Sequence, residues 1–215
     1  MIRVLLVDDD PLVRAGLKMM LGGAGDIEVV GEVEDGSGVA AAVRRHGPDV
    51  VLMDIRMPVM DGIAATRALT GQGTAAQVIV LTTFGADRLV VAAMRAGAAG
   101  YLLKHTEPER IVQAVRDAAR GDPALSPAAA RALIDHAAAG AGGRVEQAAR
   151  RFALLSDRER EIAVAVAEGL SNAEIGARLH LSAGTVKAHV SSALAKLDLD
   201  NRLQLALLAH DATAG

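Results

Sequence analysis

The sequence contains no cysteine and no tryptophan, and very few aromatic residues of any kind. One Tyr and two Phe among 215 residues make the aromatic share 1%, although 51% of the residues are hydrophobic. The lack of cysteine excludes disulfides and thiolate metal sites, which fits a reducing compartment and predicts a cytoplasmic protein. With so few aromatic rings, the hydrophobic cores must be packed from Leu, Val, Ile and Ala.

Long apolar runs and a large excess of charge are also missing. No segment reaches the ~20 apolar residues that cross a bilayer, and no signal-like segment opens the chain, so we expect neither membrane insertion nor export. The formal net charge is -3, and residues 151–215 contribute 7 Lys and Arg against 8 Asp and Glu. Neither part of the chain binds nucleic acid by bulk charge. DNA binding would therefore need a few well-placed cations and two copies of the chain.

Residues 1–120 alternate short apolar segments with amphipathic ones. Strands are predicted at residues 2–7, 27–31, 50–54, 78–81 and 99–103, and each is followed by a helix. Four apolar side chains of the first helix are expected to face inward, namely Leu12, Ala15, Leu17 and Leu21. This alternation indicates an α/β domain with a five-stranded parallel sheet.

Residues 121–150 differ in composition and predict a connection between two domains. The alanine-rich segment 126–138 predicts a helix, and Gly140, Gly142 and Gly143 give the backbone after it wide conformational freedom. We expect a helical extension followed by a flexible joint. The alternative is that this helix packs on the first domain as a sixth core helix.

Residues 151–215 carry helical signals throughout. Four helix starts are indicated by capping residues, Ser156 with Glu159, Ser171 with Glu174, Ser182 and Asn201. A short helix, a tight turn and a longer helix follow one another, which is the helix-turn-helix pattern. The sequence thus predicts an all-α domain of four helices that binds DNA.

Charged or polar residues stand at the ends of four predicted strands. Asp8 and Asp9 follow the first strand, Asp54 the third, Thr82 the fourth and Lys104 the fifth. The carboxyl ends of parallel strands meet at one edge of a sheet, where open α/β sheets bind ligands. Carboxylates suit Mg²⁺, so the three acids predict a Mg²⁺ site. Asp54 would then accept a phosphoryl group as an ionised nucleophile, and Thr82 and Lys104 would bind its oxygens.

Several segments resemble a known family. Residues 6–11 (LVDDDP), 51–62 (VLMDIRMPVMDG), 81–83 (LTT) and 97–104 (GAAGYLLK) resemble the signature segments of the response-regulator receiver domain. Residues 155–209 resemble the LuxR-type helix-turn-helix, most clearly in LSDREREI, GLSNAEIGARL and SAGTVKAHV. The domain order is similar to that of the NarL/FixJ response regulators. The resemblance implies a doubly wound, flavodoxin-like receiver at 1–120, a linker at 121–150 and a DNA-binding domain at 151–215.

The resemblance also implies roles for residues around Asp54. Asp54 is expected to be phosphorylated by a sensor histidine kinase. Mg²⁺ is expected to be held by Asp8, Asp9 and Asp54, with the backbone carbonyl of Arg56 completing the protein ligands.

The same resemblance assigns a phosphate-sensing switch. Thr82 and Lys104 are expected to bind the phosphoryl group, and Tyr101 is the aromatic residue whose packing changes when Thr82 moves. His105 follows Lys104 where many receivers have proline, a departure that bears on the cis-proline turn of those receivers.

In the second domain, the resemblance places the helix at 183–197 in the major groove of double-stranded promoter DNA. Its apolar stripe faces the core, which leaves Thr185, Lys187, Ala188 and Ser191 on the outer side. Thr185 and Lys187 suit phosphate contacts, which orient the protein without reading the sequence. Half-site spacing and DNA shape are expected to supply the remaining specificity.

The leading hypothesis is a transcription factor, and not an enzyme, that phosphorylation switches. Phosphoryl at Asp54 would favour an active shape in which two chains pair on adjacent half-sites. One alternative is a regulator of the same build that is active without phosphorylation. A hydrolase that uses Asp54 as its nucleophile is disfavoured, since residues 55–57 offer no acid to protonate a leaving group. A protein-binding adaptor is disfavoured by the helix-turn-helix.

Overall fold

The first part of the chain is a parallel sheet flanked by helices. The structure is a computed structural model and describes residues 1–83, 87–138 and 144–213. The strands are β1 (Ile2–Val7), β2 (Ile27–Val33), β3 (Val50–Met53), β4 (Gln77–Thr82), β5 (Gly100–Leu103) and β6 (Ala124–Leu125). The helices beside them are α1 (Pro11–Gly22), α2 (Val39–His46), α3 (Gly62–Thr70), α4 (Asp87–Arg95) and α5 (Pro108–Arg120). The strand order is β2-β1-β3-β4-β5-β6, which confirms the predicted parallel α/β fold.

The central strands β1, β3 and β4 each contain four consecutive apolar residues because both faces of the sheet are covered. In β1, Val4 and Leu6 point to the face that α1 and α5 cover, and Leu5 and Val7 point to the opposite face. All four side chains are buried. A continuous apolar run of this kind is typical of a parallel strand buried on both faces.

The inward face of α1 differs from the prediction. Leu17 and Leu21 are buried as expected, but Leu12 is 81% exposed and Ala15 is exposed. The third buried residue of this helix is Arg14. Because successive helical residues are rotated by about 100°, Leu12 lies about 140° away from Leu17 around the helix, whereas Arg14 lies only about 60° away.

The sheet continues beyond the five strands that the sequence predicted. Among the described residues a sixth strand, β6, pairs in parallel with Gly100 and Tyr101 of β5. The next helix, α6 (Pro127–Ala138), packs against α4 and buries Ala129 and Ala132 in the core beside that helix. The predicted helical extension is thus present as α6, and it packs on α4 of the first domain. The glycines predicted to form a flexible joint, 140, 142 and 143, lie outside the described residues.

The second part of the chain is helical. Its helices are α7 (Arg144–Phe152), α8 (Asp157–Ala167), α9 (Asn172–Leu179), α10 (Ala183–Lys196) and α11 (Arg202–Thr213). Both predicted capping boxes are present at the starts of α8 and α9, and Ser182 and Asn201 cap α10 and α11. The sequence did not predict α7, which packs on α11 through Ala148. None of the described helices has the length and apolar character of a membrane span.

Candidate functional site

Three carboxylates converge at the carboxyl edge of the sheet. β1 and β3 are neighbours, and the backbone N–H of Asp54 donates to the carbonyl of Val7 at 2.8 Å. This pairing brings Asp54 beside Asp8 and Asp9, so that one oxygen from each of the three carboxylates lies within 4.8 Å of the others. Asp8 and Asp54 are buried, whereas Asp9 is exposed. The structure thus brings together the three acids that the sequence singled out.

Lys104 provides the positive charge of this pocket. Its Nζ lies 2.6 Å from Oδ2 of Asp8 and 3.1 Å from Oδ2 of Asp54. Its backbone N–H donates to the carbonyl of Thr82 at 2.8 Å, so the ends of β4 and β5 are joined beside the acids. The residues predicted at four strand ends therefore occupy one edge of the sheet.

Burial and the ion pairs act in opposite directions on the charges of the pocket. Burial raises the pKa of Asp54 above its ordinary range, and the attraction of Lys104 offsets this effect only in part. Burial alone would lower the pKa of Lys104, but the hydrogen bond to Asp8 and the charge of Asp54 outweigh it and raise this pKa. Lys104 consequently stays charged at neutral pH. Its ammonium group then interacts with both carboxylates, those of Asp8 and Asp54.

The donors fit a small, hard divalent cation. Carboxylate oxygens are the ligands that Mg²⁺ takes from proteins, usually one or two of them with water and phosphate oxygens filling the remaining positions. Lys104 brings one ammonium group to a pocket of three carboxyl groups, of which those of Asp8 and Asp54 are buried. Arg56 and Asp9 line a groove at the mouth of this pocket. The chemistry of the donor set therefore suits Mg²⁺.

A glycine allows the chain to return closely past Asp54. The backbone N–H of Gly62 donates to the carbonyl of Ile55 at 2.9 Å. A Cβ at position 62 would lie 1.9 Å from the carbonyl oxygen of Asp54 and 2.9 Å from Cγ of Met53. The start of α3 therefore fits against the acid-bearing loop only without a side chain at this position.

Thr82 and Tyr101 lie on neighbouring strands, and both are 1% exposed. Tyr101 packs in an apolar cluster with Met94 of α4 and Leu133 of α6. Burial raises the pKa of Tyr101 to about 12, and the charge of Asp54 contributes to the same effect. The phenol thus lies inside the domain, between the acidic edge and the helices that cover it.

The described residues contain no cis peptide bond, so the turn at Lys104 and His105 is formed without one.

Two residues beside the site were not identified from the sequence. Arg14 is buried and donates to the carbonyl of Asp8 at 2.6 Å. The carboxylate of Asp35 accepts the backbone N–H groups of Val59 and Met60 at 2.9 and 3.0 Å, which holds the loop after Asp54. Hydrogen bonds to the Asp35 carboxylate, of which the one from Ser37 has the largest effect, hold the pKa of Asp35 well below its ordinary range. Arg14 could have been found from its place on the Leu17 face of α1, whereas Asp35 left no such signal.

The predicted DNA-contacting residues share one side of α10. Thr185, Lys187, Ala188 and Ser191 are all exposed, while Val186 of the same helix is buried in the core of the second domain. The Thr185 hydroxyl lies 2.8 Å from that of Ser182, the residue that caps the helix. The helix thus offers the outward face that the sequence predicted.

In this structure the first domain covers part of that face. Nζ of Lys187 donates to the carbonyl of Ala119, near the end of α5, at 3.2 Å. Nearby, Nδ2 of Asn172 donates to the carbonyl of Arg120 at 2.9 Å. The two domains therefore meet through the helix that carries the predicted DNA contacts.

A second contact joins the start of α11 to the end of α4. Nδ2 of Asn201 donates to the carbonyl of Met94 at 2.8 Å and to that of Ala98 at 3.0 Å, and Asn201 is buried. Leu203 packs against the apolar cluster that contains Tyr101. The second domain thus rests on the part of the first domain that holds the predicted aromatic switch.

Comparisons with known families and proteins agree with this architecture. Residues 4–116 match the family described as response regulator receiver domain, and residues 153–209 match the bacterial regulatory proteins of the luxR family. The chain is 42% identical over 212 residues to the transcriptional regulatory protein LiaR of Bacillus subtilis (strain 168), covering 98% of this chain and 97% of LiaR. It is 36% identical over 208 residues to the response regulator protein VraR of Staphylococcus aureus (strain Mu3 / ATCC 700698), covering 97% of this chain and 96% of VraR.

Similar solved structures are response regulators as well. The response regulator ChrA of a heme-sensing two-component system is 40% identical with a TM-score of 0.54, and the match covers 97% of this chain and 96% of ChrA. The signal receiver domain of NarL from Mycobacterium tuberculosis is 38% identical with a TM-score of 0.55, covering 56% of this chain and 97% of that domain. This chain therefore belongs to the response regulators, transcription regulators that join a receiver domain to a LuxR-type DNA-binding domain.

Proposed function

We propose that Asp54 is the phosphoacceptor of this regulator and that a sensor histidine kinase is its phosphoryl donor. The observation that carries the proposal is the pocket itself, in which Lys104 lies within 3.1 Å of both Asp8 and Asp54 and three carboxylates converge. In the reaction, an oxygen of Asp54 forms a bond to phosphorus while the bond from phosphorus to the donor's leaving group breaks. The kinase partner follows from the family alone.

The residues of the pocket would each contribute to this transfer. Mg²⁺, held by Asp8, Asp9, Asp54 and the carbonyl of Arg56, would reduce the repulsion between the acids and the incoming phosphoryl group. Lys104 is placed to pair with a phosphoryl oxygen on Asp54, since its ammonium already contacts that carboxylate.

The response to the phosphoryl group would run through Thr82 and Tyr101. Thr82 would donate its hydroxyl to another oxygen of the group, and Tyr101 would repack when Thr82 moves. Two facts support this route. Tyr101 lies on the strand next to Thr82, and its apolar cluster also contains Leu203 of the second domain.

The output would be binding to promoter DNA by α10. Lys187 donates to a backbone carbonyl of the receiver, a contact that would have to break for α10 to enter the major groove. Phosphorylation would shift the population toward the separated arrangement, in which two chains pair and place their α10 helices on adjacent half-sites. Thr185, Lys187, Ala188 and Ser191 would face the DNA. We further propose that the protein works in the cytoplasm.

The decisive experiment is DNA binding by the full chain with and without phosphorylation. The probe is DNA from upstream of its own operon, with Mg²⁺ present, and the phosphoryl donor is a small molecule such as acetyl phosphate. We expect the donor to tighten binding of the unmodified chain and to leave an Asp54→Ala variant unchanged.

Asp49→Asn is a matched control for the loss of an acid. Asp49 precedes the same strand, β3, at the opposite edge of the sheet, and its carboxylate accepts the N–H of Arg3, a role that asparagine can also fill. This variant should respond to the donor as the unmodified chain does. Equally tight binding in every arm would leave the DNA-binding domain in place but refute the phosphorylation switch, in favour of a regulator active without it.

A further inference from the structure

Arg14 is a buried charge directly behind the acidic pocket. It lies in the first turn of α1, yet its side chain turns back into the domain and the residue is 7% exposed. Nη1 donates to the carbonyl of Asp8 at 2.6 Å. That carbonyl belongs to the peptide that joins Asp8 to Asp9. The orientation of this peptide decides the directions in which both carboxylates leave the backbone.

The other side of the guanidinium is anchored to acids at the end of β2. Nη2 donates to Oε1 of Glu34 at 3.0 Å, whereas Nε lies 3.5 Å from Oε2 of Glu32 and makes no hydrogen bond among the described residues. Lys18 pairs with the other oxygen of Glu32 at 2.7 Å and fixes that acid. A planar guanidinium can span a carbonyl on one side and carboxylates on the other, whereas an ammonium is a point charge that cannot.

We propose that Arg14 is a positioning residue for the metal site, holding the Asp8–Asp9 peptide so that both carboxylates face the same cation. The proposal rests on the proposed function, because it assumes that Asp8 and Asp9 bind Mg²⁺. Three carboxylates that share one pocket repel one another, and without a restraint the peptide between two of them turns to separate the charges. A restraint outside the ligand shell prevents this reorganisation before the cation arrives.

Substitution of Arg14 gives a test in which charge and positioning predict opposite signs. Arg14→Met removes a positive charge near a cation site, so electrostatics alone would tighten Mg²⁺ binding. Positioning predicts the reverse, a dissociation constant raised about tenfold or more, as is typical when a partner of a metal ligand is lost. Arg14→Lys keeps the charge but not the geometry, and should also weaken Mg²⁺ binding.

The measurement is calorimetric titration of Mg²⁺ into the metal-free full chain, together with thermal unfolding in EDTA. Unfolding in EDTA separates a loss of fold stability from a loss of metal affinity. In the transfer reaction with a small-molecule donor, the Mg²⁺ concentration at half-maximal rate should rise by the same factor. The rate at saturating Mg²⁺ should stay close to that of the unmodified chain.

Arg116→Met is the matched control. Arg116 is also a helical arginine of this domain, and it forms two hydrogen bonds to the carboxylate of Asp26. It lies on α5 and contacts none of the three pocket acids. It should leave the Mg²⁺ affinity unchanged. Unchanged or tighter binding by Arg14→Lys, the variant that best preserves the fold, overturns the inference. If the unmodified chain itself fails to bind Mg²⁺, the proposed metal site and this inference fall together.

Discussion

Gly62 and Gly16 are helical glycines in opposite surroundings, and the contrast shows how single residues hold the site. At position 62 a Cβ would meet the backbone of Asp54, which cannot move without displacing the proposed phosphoacceptor. At position 16, on the exposed side of α1, a Cβ would meet nothing within 4 Å. Gly62 is required by a close backbone approach. Gly16 has no such role and only increases the conformational entropy that is lost on folding.

Replacing each glycine by alanine should therefore change stability in opposite directions. Gly62→Ala should lower the free energy of unfolding by about 1–3 kcal/mol or more, since the overlap is with backbone. It should also slow phosphorylation, because the carbonyl of Asp54 must shift. Gly16→Ala should raise the free energy of unfolding by about 0.5–1 kcal/mol. Urea denaturation of both variants measures the difference, and a neutral Gly62→Ala would contradict the close approach.

At the scale of the helix, the two capping boxes of the second domain are not equivalent. Glu159 caps α8, and its carboxylate also accepts from Ser192 at 2.8 Å and from Nζ of Lys196 at 2.7 Å, both on α10. Burial would raise its pKa, but the hydrogen bonds from Lys196 and Ser156 outweigh this effect and lower the pKa to about 2. Glu174 caps α9 in the same way from an exposed position. Glu159 thus fixes one helix to another.

Replacement by glutamine separates the two functions, because glutamine preserves a capping box but carries no charge. Glu159→Gln should lower the free energy of unfolding at pH 7 by about 1.5–3 kcal/mol, the range for hydrogen bonds to charged groups. Glu174→Gln, the control, should change it by less than about 0.5 kcal/mol. Urea unfolding of both variants at pH 7 measures these values, and equal losses would show that the contact with α10 contributes nothing.

The same carboxylate predicts a pH dependence. Its pKa in the folded protein, about 2, lies below the ordinary value of 4.5, so ionisation stabilises the fold above pH 4.5. This contribution should disappear as the pH falls from 4.5 toward 2. The difference in unfolding free energy between the unmodified chain and Glu159→Gln should accordingly shrink over that interval. A constant difference between pH 7 and pH 3 would contradict the lowered pKa.

At the scale of the whole molecule, the contact between the domains links the proposed switch to the helix that is proposed to bind DNA. Asn201 donates to two receiver carbonyls, those of Met94 and Ala98, while its Oδ1 accepts the N–H of Gln204 and caps α11. Lys187 of α10 is bound to the receiver in the same arrangement. Release of one contact should therefore favour release of the other.

Asn201→Asp should open the two domains without removing the cap. An aspartate still accepts the N–H of Gln204, but it cannot donate to the two carbonyls, and its charge would face their oxygens. A buried carboxylate oxygen that faces two carbonyl oxygens costs a few kcal/mol, enough to move most molecules to the separated arrangement. We expect a larger radius of gyration by small-angle scattering and DNA binding at least about tenfold tighter without a phosphoryl donor.

Asp198→Asn is the control for this variant. Asp198 is an exposed neighbour with a φ of 49°, a conformation that asparagine tolerates well. It should remain compact and depend on the donor as the unmodified chain does. An Asn201→Asp variant that stays compact would show that this contact does not hold the domains together.

Local interactions explain why much of the molecule could be read from its sequence. The capping box of Ser156 and Glu159 spans three residues, and its hydrogen bonds form wherever the helix begins. The strand-end positions of Asp8, Asp54, Thr82 and Lys104 were equally accessible, because parallel strands must end at the same edge of their sheet. Family membership followed from the same short segments.

Contacts between distant parts of the chain were beyond the sequence. The pairing of Arg14 with Glu34 depends on how α1 is rotated against the sheet, and the apolar spacing predicted that rotation wrongly for Leu12. The segment that forms β6 and α6 was predicted to be a connection between domains. A strand of two residues and an alanine-rich helix carry no sequence pattern that indicates which surface they pack against. The sequence by itself determined most of the elements, their caps and the acids at the strand ends, all set by local geometry. Only the tertiary structure decided what lies against them, since packing free energies arise between residues far apart in the chain.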